Sequence, residues 1–465
     1  MLLALVALYI AASVAVGLYA ATRVRSASDF AVAGKRFGAP IVAATVFATW
    51  FGAETVLGIP ATFLKEGLRG LVADPFASVG CLVLVGLVFA RPLFRLDILT
   101  LGDFLRQRFD RKTDVAVSLC IAFSYLGWIA AQLVALGLVF EVLSGGAIDM
   151  NTGIVAGAAI VLLYTMAGGM WSVALTDFFQ AVMIIGGMGY VAWVVGDLAG
   201  GPARVWESVA STDRLRVLPE ADARSILAWV TAALIVFFGS VPQQDVLQRI
   251  KSARDERAAV AGSLAGGIVY FFIALVPIYL VCSAALIDAP LVERLVAKDY
   301  QLILPTLIVE RTPLVVQALF FGALVSAILS TAGGALLAPA VVIAESVMRP
   351  LAGPTTDREV LRIMRVAVFL LAVAVTVMAL TSTMSIYQLV NESGKVVLVS
   401  SFVPLAAGLF WKRATTLGAH LAIAAGLAVW IALEALAPEA LAPPALAGLV
   451  ASAAAMAAGS LLSRR

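Results

Sequence analysis

Long apolar runs, separated by charged or Pro/Gly-rich breaks, make up most of this 465-residue sequence. Cutting the chain at those breaks leaves about thirteen runs of the roughly 20 residues that a helix needs to cross a bilayer. Only residues 167–170, A-G-G-M, divide the fifth run from the sixth. The pattern predicts an all-α polytopic membrane protein with about 13 transmembrane helices, at residues 2–22, 40–63, 71–90, 114–143, 151–168, 172–197, 224–247, 259–287, 313–347, 363–381, 384–411, 415–436 and 443–462.

The composition agrees with a membrane protein. Hydrophobic residues make up 62% of the chain and charged residues 13%, with a mean hydropathy of +1.02, whereas soluble domains are about 45–50% apolar. Residues 1–22 have no basic N-terminal region, so we expect a first span rather than a cleavable signal peptide. We expect membrane lipid around the chain, no nucleic acid and no obligate protein partner.

Lysine and arginine are distributed unequally between alternate loops. The loops after spans 1, 3, 7, 9, 11 and 13 carry 22 of them, including Arg249, Lys251, Arg464 and Arg465, and the opposite set carries 9. Because cytoplasmic loops are enriched in basic residues, this bias predicts an N-terminus outside and a C-terminus in the cytoplasm. We therefore expect an odd number of spans in the cell (inner) membrane, with residues 199–223 and 288–312 outside.

Few residues in this sequence suit metal or acid–base chemistry. Cys81, Cys120 and Cys282 each stand alone in an apolar run, and the single histidine, His420, has no partner near it in the sequence. A disulfide framework, a zinc site and an Fe–S centre are therefore not expected. With so few groups available for catalysis, the sequence predicts that the chain is not an enzyme.

Residues 45–60 combine features that conflict with an ordinary membrane helix. The segment T-V-F-A-T-W-F-G-A-E-T-V-L-G-I-P is largely apolar yet contains Gly52, Glu54, Gly58 and Pro60. A carboxylate at bilayer depth costs at least about 2.5 kcal/mol, so Glu54 needs a partner or a wet cavity. Carbonyls freed by Gly and Pro are tolerated where they line a site. The segment predicts either a broken helix that coordinates an ion and a solute, or a kinked structural helix with Glu54 paired to a neighbour.

Small hydroxyl side chains cluster in the ninth span. Ser326, Ser330 and Thr331 lie within S-A-I-L-S-T-A-G-G, and hydroxyls with loosened carbonyls suit a hard monovalent cation such as Na⁺. Alternatively, these hydroxyls bond back to carbonyls of their own helix or only allow close helix packing. Asp177, one turn before Gln180, has two interpretations: an ion or proton relay, or an anion stabilised at a helix N-terminus.

Other polar and aromatic positions are open to a functional and a structural interpretation. Gln243 lies near the end of the otherwise apolar seventh span, and Lys395 lies one turn from Glu392, its simplest pairing partner. Trp50 and Trp128 offer aromatic faces to a solute, although most membrane tryptophans are interfacial anchors.

Seven motifs occur in an order that resembles the sodium:solute symporter family, which includes proline, sialic acid, galactose and choline transporters. The resemblance covers nearly the whole chain. The motifs are S-D-F-A-V-A-G-K-R-F-G from Ser28, A-T-W-F-G-A-E-T-V-L-G-I-P from Ala48, L-T-L-G-D-F-L-R-Q-R-F from Leu99, Y-T-M-A-G-G-M-W-S from Tyr164, P-Q-Q-D-V-L-Q-R from Pro242, A-I-L-S-T from Ala327 and G-L-F-W-K-R-A-T-T-L-G-A from Gly408.

The resemblance implies a leucine-transporter-type fold, in which two inverted five-helix repeats contain broken helices. It implies a single transporter domain with five parts. These are residues 1–39 (first helix and cytoplasmic link), 40–198 (first repeat), 199–223 (outer loop), 224–411 (second repeat) and 412–465 (two C-terminal helices).

The resemblance also implies a sodium site. Its ligands would be the carbonyl oxygens of Ala48, Phe51 and Ala327 and the hydroxyls of Ser330 and Thr331. Asp177 matches the family's acidic residue near the inner ion path.

The sequence departs from the family's pattern in two respects. Relatives with a second sodium site supply further hydroxyls where Gly333 and Gly334 stand here, so we expect one Na⁺ per cycle. The motif around Trp50, together with Trp128, is most similar to the choline branch, whose aromatic rings would hold a cation, but Gln243 replaces that branch's aromatic residue. We expect solute contacts at Trp50, Glu54, Thr55, Trp128 and Gln243, with Lys395 as an outside candidate for a gate.

Together these features predict a sodium-coupled secondary active symporter that imports a small organic solute, namely an amino acid, a carboxylate or an amine, by alternating access. The alternatives are a proton-coupled carrier that uses Asp177 or Glu54, an uncoupled carrier, and a membrane solute sensor.

Overall fold

The computed structural model describes residues 1–463 of the chain. Arg464 and Arg465, which contribute to the predicted cytoplasmic charge, lie outside the described residues. Within residues 1–463 the secondary structure is helical and no β-strand occurs. The α-helices are α1 Leu2–Ala21, α2 Ala27–Val32, α3 Ala39–Trp50, α4 Ile59–Glu66, α5 Ser78–Leu84, α6 Ala90–Arg95, α7 Leu101–Arg108, α8 Arg111–Ser144, α9 Met150–Leu198, α10 Pro202–Ala210, α11 Ala223–Phe237, α12 Gln244–Ser252, α13 Glu256–Ile287, α14 Ala289–Val296, α15 Ile303–Arg311, α16 Leu314–Ile343, α17 Arg349–Ala352, α18 Asp357–Thr381, α19 Ile386–Val397, α20 Val403–Phe410, α21 Thr416–Leu436 and α22 Pro444–Leu462.

Short tighter or wider helical turns join several of these helices. The 3₁₀ turns are Ala33–Lys35, Gly67–Leu71, Asp213–Leu215 and Tyr300–Leu302, and the π-helical turns are Glu54–Gly58, Val72–Ala77, Val85–Phe89, Ala344–Met348 and Leu398–Phe402.

Many helices begin at a side-chain cap that the sequence supplies. Asp110, Asp149 and Asp255 each accept a hydrogen bond from a backbone N–H of the first turn, at the starts of α8, α9 and α13. Thr356 and Ser385 do the same for α18 and α19, each within a capping box. These caps satisfy donors that a helix start leaves free, so they fix where each helix begins.

Ten helical elements within residues 1–463 are long and apolar enough to cross a membrane. Two of them exceed one crossing, because Glu54–Arg95 has 42 residues and Met150–Leu198 has 49. At 1.5 Å per residue these would span roughly 60 and 70 Å, against about 30 Å of hydrocarbon. Non-helical backbone interrupts them at Asp74 and at Gly169. The predicted count of about 13 spans is a finer statement than these ten elements, and it stays a prediction.

Helix α16 occupies the centre of the molecule. Its residues from Phe320 to Val342 are all buried, as expected of a helix that is apolar on every side. Large apolar side chains on the outer helices are instead exposed, among them Phe123, Trp193, Phe272 and Leu370. In a bilayer these side chains contact lipid, and the chain is an integral membrane protein.

Candidate functional site

The helix that begins at Ala39 stops at Trp50 and resumes at Glu54. Phe51 has φ −91° and ψ 80°, outside the helical region, and the Ala53 N–H donates to the side chain of Gln132 at 2.9 Å. At Gly52 a Cβ atom would lie 2.4 Å from a carboxylate oxygen of Glu54. The Glu54 carboxylate can therefore occupy this position only because Gly52 has no side chain. The break itself frees carbonyl oxygens at the end of α3.

Helix α16 faces this break with its hydroxyl side chains. The Thr331 hydroxyl donates to the carbonyl oxygen of Thr49 at 2.9 Å and lies 3.5 Å from that of Ala48. Ser330 donates to Asp177 Oδ1 at 2.6 Å. Three of the predicted sodium-site groups, together with Asp177, thus meet in the protein interior, and Ser330 and Thr331 do not simply bond back to their own helix.

The two remaining predicted sodium ligands lie beside the same junction. Ala327 precedes Thr331 by one turn on the same face of α16 and is fully buried. Phe51 is the first residue of the break and is also fully buried. Within residues 1–463 no group of three or more His, Cys, Asp or Glu residues is placed to hold a metal. The donor set at this junction consists of carbonyl and hydroxyl oxygens, which suit a hard monovalent cation.

Buried charges that the sequence pattern assigned to a loop lie next to the junction. Arg249 and Lys251 count among the predicted cytoplasmic loop residues, but α12 continues to Ser252 and all of its side chains are buried. Arg249 donates to the Thr49 hydroxyl and to the Asp245 carbonyl oxygen, the latter at 3.1 Å. Arg249 stands at the end of an apolar run, where basic residues of cytoplasmic loops also stand. The sequence pattern therefore did not indicate that its side chain is buried.

A cavity of about 60 Å³ lies next to the break. Trp50, Glu54, Trp128 and Gln243, four of the five predicted solute contacts, line it. The other lining residues come from helices far apart in sequence: Asp74, Ser78, Ile235, Val236, Ser240, Tyr270, Tyr387, Val390, Asn391, Ser393 and Gly394.

Glu54 is held in place by neutral hydrogen-bond donors. Trp128 Nε1 donates to one carboxylate oxygen at 3.1 Å and Gln132 Nε2 donates to the other at 2.8 Å. Gln132 also accepts from the Ala53 N–H, so one amide side chain links the carboxylate to the break. The carboxylate is oriented without a basic partner.

Thr55 and Lys395 lie outside the cavity lining. The Thr55 hydroxyl is fully buried, 3.5 Å from the Trp50 carbonyl oxygen and 3.5 Å from the Tyr270 hydroxyl. Lys395 Nζ lies 2.7 Å from Glu392 and 3.4 Å from Glu434. The pair between Lys395 and Glu392 is the local one that the sequence spacing favoured.

A second carboxylate of the cavity was missed from the sequence. Asp74 accepts a hydrogen bond from the Tyr270 hydroxyl, and both side chains line the cavity. Asp74 stands in an apolar run between Gly70 and Gly80, which is the same kind of signal that singled out Glu54. Tyr270 and Tyr387 carried no comparable signal, because a tyrosine within an apolar helix is common.

The family model described as "Sodium:solute symporter family" matches residues 30–426. High-affinity choline transporter 1 of Caenorhabditis elegans is 26% identical over 408 residues, which are 85% of this chain and 69% of that protein. The human sodium/iodide cotransporter is 28% identical over 436 residues, 88% and 66% of the two chains. The osmoregulated proline transporter OpuE of Bacillus subtilis is 23% identical over 440 residues, 91% and 87% of the two chains.

Solved structures show the same fold. The substrate-bound, outward-open structure of a Na⁺-coupled sialic acid symporter matches with a TM-score of 0.84 at 18% identity, covering 99% of this chain and 97% of that one. The closed structure of Mhp1, a nucleobase-cation-symport-1 family transporter, matches with a TM-score of 0.64 at 15% identity, covering 93% and 94%. The matched proteins are transporters, not enzymes.

Proposed function

We propose that this chain, which belongs to the sodium:solute symporter family, imports a small organic solute together with Na⁺ by alternating access. One observation carries the proposal: the hydroxyl of Thr331 on α16 reaches the carbonyl oxygens of Thr49 and Ala48 at the end of α3. A cation held there would join two helices that alternating access must move apart.

The sodium ligands in this proposal are the carbonyl oxygens of Ala48, Phe51 and Ala327 and the hydroxyls of Ser330 and Thr331. When bound, Na⁺ would supply a positive charge that oxygen atoms of both α3 and α16 coordinate. The hydrogen bond from Ser330 to Asp177 supports a role for Asp177 on the path between this site and the cytoplasm.

We favour one Na⁺ per cycle. A Cβ atom at Gly333 would lie 2.6 Å from the Tyr164 hydroxyl oxygen, and one at Gly334 would lie 2.5 Å from Arg249 Nη2. The space in which a second set of hydroxyls would stand is therefore taken by Tyr164 and Arg249, which supports a single ion.

Solute would bind in the cavity beside the same break. The solute would contact Trp50, Glu54, Trp128 and Gln243. Thr55 would help to position Trp50, because its hydroxyl lies 3.5 Å from the Trp50 carbonyl oxygen. Because the break in α3 contributes to both the cavity and the sodium junction, each ligand would favour the same conformer and raise the affinity of the other. Lys395 would act at most as a gate, since it lies outside the lining.

The proposed topology has 13 spans and two inverted five-helix repeats, residues 40–198 and 224–411, with residues 1–39, the outer loop 199–223 and residues 412–465 outside the repeats. Two interruptions support it: one between α3 and the turn at Glu54, and one between Phe237 and Gln244, each in the first helix of its repeat. The division of Met150–Leu198 at Gly169 adds a further span. The N-terminus would lie outside and the C-terminus in the cytoplasm of the cell membrane.

Replacing Thr331 by Ala tests the sodium site. We expect the Na⁺ concentration that gives half-maximal thermal stabilisation of the purified protein to rise about fivefold or more, as the loss of one buried polar contact implies. The measurement is a melting-temperature titration with Na⁺ at constant ionic strength, with K⁺ as the replacement.

Thr376→Ala is the matched control. The Thr376 hydroxyl only bonds back to the Ala372 carbonyl oxygen on α18, at 2.6 Å, so its removal should leave the Na⁺ midpoint unchanged. An unchanged midpoint in Thr331→Ala would rule out this site, and equal stabilisation by Na⁺ and K⁺ would favour proton-coupled or uncoupled transport.

A further inference from the structure

The charged groups that line the cavity are all acidic. Glu54 and Asp74 both line it, and within residues 1–463 no Lys, Arg or His does. The nearest candidate in sequence, Lys395, is engaged by two glutamates outside the lining. A solute in this cavity therefore meets two carboxylates and no protein cation.

Neither carboxylate receives a hydrogen bond from a basic side chain. Glu54 accepts from Trp128 and Gln132, and Asp74 accepts from Tyr270, all of which are neutral donors. Both carboxylates are more than nine-tenths buried. Buried anions without a cationic partner in the protein are stabilised by a cationic ligand, and a solute carboxylate would be repelled.

The rest of the lining suits an ammonium group on a small carbon skeleton. The rings of Trp50, Tyr270 and Tyr387 supply apolar faces that also attract cations. The Gln243 side chain is 8% exposed, lines the cavity and makes no hydrogen bond to any residue from 1 to 463. Because buried amides are normally hydrogen-bonded, its free groups point to a polar ligand.

From these observations we infer that the solute is a small protonated amine that carries N–H groups, held between Glu54 and Asp74. This inference rests on the proposed transport function and names its substrate class. Carboxylates form their strongest hydrogen bonds with charged N–H donors. A quaternary ammonium ion offers none, so the two carboxylates favour a primary or secondary amine over a fully methylated one.

A series of ligands with one carbon skeleton tests the inference on the full-length protein. Ethanolamine, N-methylethanolamine and choline all carry one positive charge, but the number of N–H groups falls along the series and is zero in choline. 3,3-Dimethyl-1-butanol resembles choline without its charge, and glycine carries a carboxylate beside its ammonium group. Affinities would be measured by thermal stabilisation in detergent, each in Na⁺ and in K⁺. We expect ethanolamine to bind with the highest affinity and choline to bind at least about 10-fold more weakly. The neutral alcohol and glycine should show no measurable binding.

Charge-removing variants test the two carboxylates directly. Asp74→Asn and Glu54→Gln should each weaken ethanolamine binding about 10- to 100-fold, and Glu207→Gln, on the exposed helix α10, should leave it unchanged. If a variant does not fold, the ligand series on the unchanged protein still decides the matter.

The two proposals fail in different ways. Tightest binding of choline, of the neutral alcohol or of glycine would overturn the amine inference, as would full affinity for ethanolamine in both carboxylate variants. Binding of ethanolamine that is equal in Na⁺ and K⁺ would uphold the amine site and overturn sodium coupling. Binding of a different class only in Na⁺ would do the reverse.

Discussion

Gly52 shows how one residue controls the geometry of the whole site. A Cβ atom there would meet the Glu54 carboxylate at 2.4 Å, and that carboxylate is fixed by Trp128 and Gln132. A methyl group at Gly52 must therefore displace either the carboxylate or the backbone of the break. The position of the Glu54 carboxylate in the cavity lining therefore depends on Gly52.

Replacing Gly52 by Ala should reduce ligand binding much more than folding. Overpacking typically costs about 1–3 kcal/mol. Because the added methyl group would displace the Glu54 carboxylate from its place in the cavity, we expect solute affinity to fall about 10-fold or more. The measurement is ligand-induced thermal stabilisation. Gly186→Ala is the matched control, because a Cβ atom at Gly186 meets no atom within 4 Å, and it should bind as the parent does. Equal behaviour of the two variants would contradict this account.

At the scale of elements, α12 closes the side of the protein that is predicted to face the cytoplasm. The Gln244 side chain donates to the Leu99 carbonyl oxygen at 3.1 Å and accepts from the Leu101 N–H at 3.0 Å. Lys251 donates to the carbonyl oxygens of Phe94 and Leu96. These bonds tie α12 to residues 94–101, from the end of α6 to the start of α7, so any opening on this side must break them.

Removing the Gln244 contacts should therefore favour an open inner side. In Gln244→Ala we expect faster hydrogen–deuterium exchange in residues 94–108 and 244–252, because two hydrogen bonds between those segments are lost. Gln317→Ala, which removes bonds to the carbonyl oxygens of Val309 and Thr312 at the start of α16, should not accelerate exchange in residues 94–108 and 244–252. Unchanged exchange in Gln244→Ala would show that other contacts keep this side closed.

At the scale of the whole molecule, Arg249 joins helices from both halves of the chain. It is 1% exposed and bonds Thr49 on α3 and the backbone of Asp245 on α12. Thr49 in turn lies 3.5 Å from Asp177 on α9, and Tyr125 on α8 donates to the Asp245 carboxylate. With Ser330 of α16, which donates to Asp177, five helices share one buried network of charges and hydroxyls.

Arg249→Met should be strongly destabilising, because it leaves two buried carboxylates without a nearby cation. Such losses cost about 3–5 kcal/mol, and the expected result is a large fall in melting temperature. The double variant Arg249→Met/Asp177→Asn should lose less stability than the sum of the two single variants, since the residues are coupled. Exposed Arg204→Met is the control and should change little. Strict additivity would mean that Arg249 and Asp177 do not interact.

The sequence by itself determined the class of the protein and much of the candidate site. Apolar runs of bilayer length predicted an all-helical membrane protein, and a carboxylate among glycines within such a run identified the break at Glu54, because burial in lipid makes both features costly. Trp50 and Gln243 were recognised from motifs at that break and at the end of the seventh predicted span, and Trp128 from its aromatic ring and the resemblance to the choline branch. All four side chains line the cavity.

Only the tertiary structure decided which distant residues meet. Thr331 contacts Thr49 across 282 positions, and Tyr270 contacts Asp74 across 196, whereas periodicity reports only neighbours on one helix. The same limit explains Arg249, a basic residue at the end of an apolar run that local pattern assigns to a loop. Whether such a charge faces water or a buried carboxylate depends on how helices pack, and packing is a property of the whole chain.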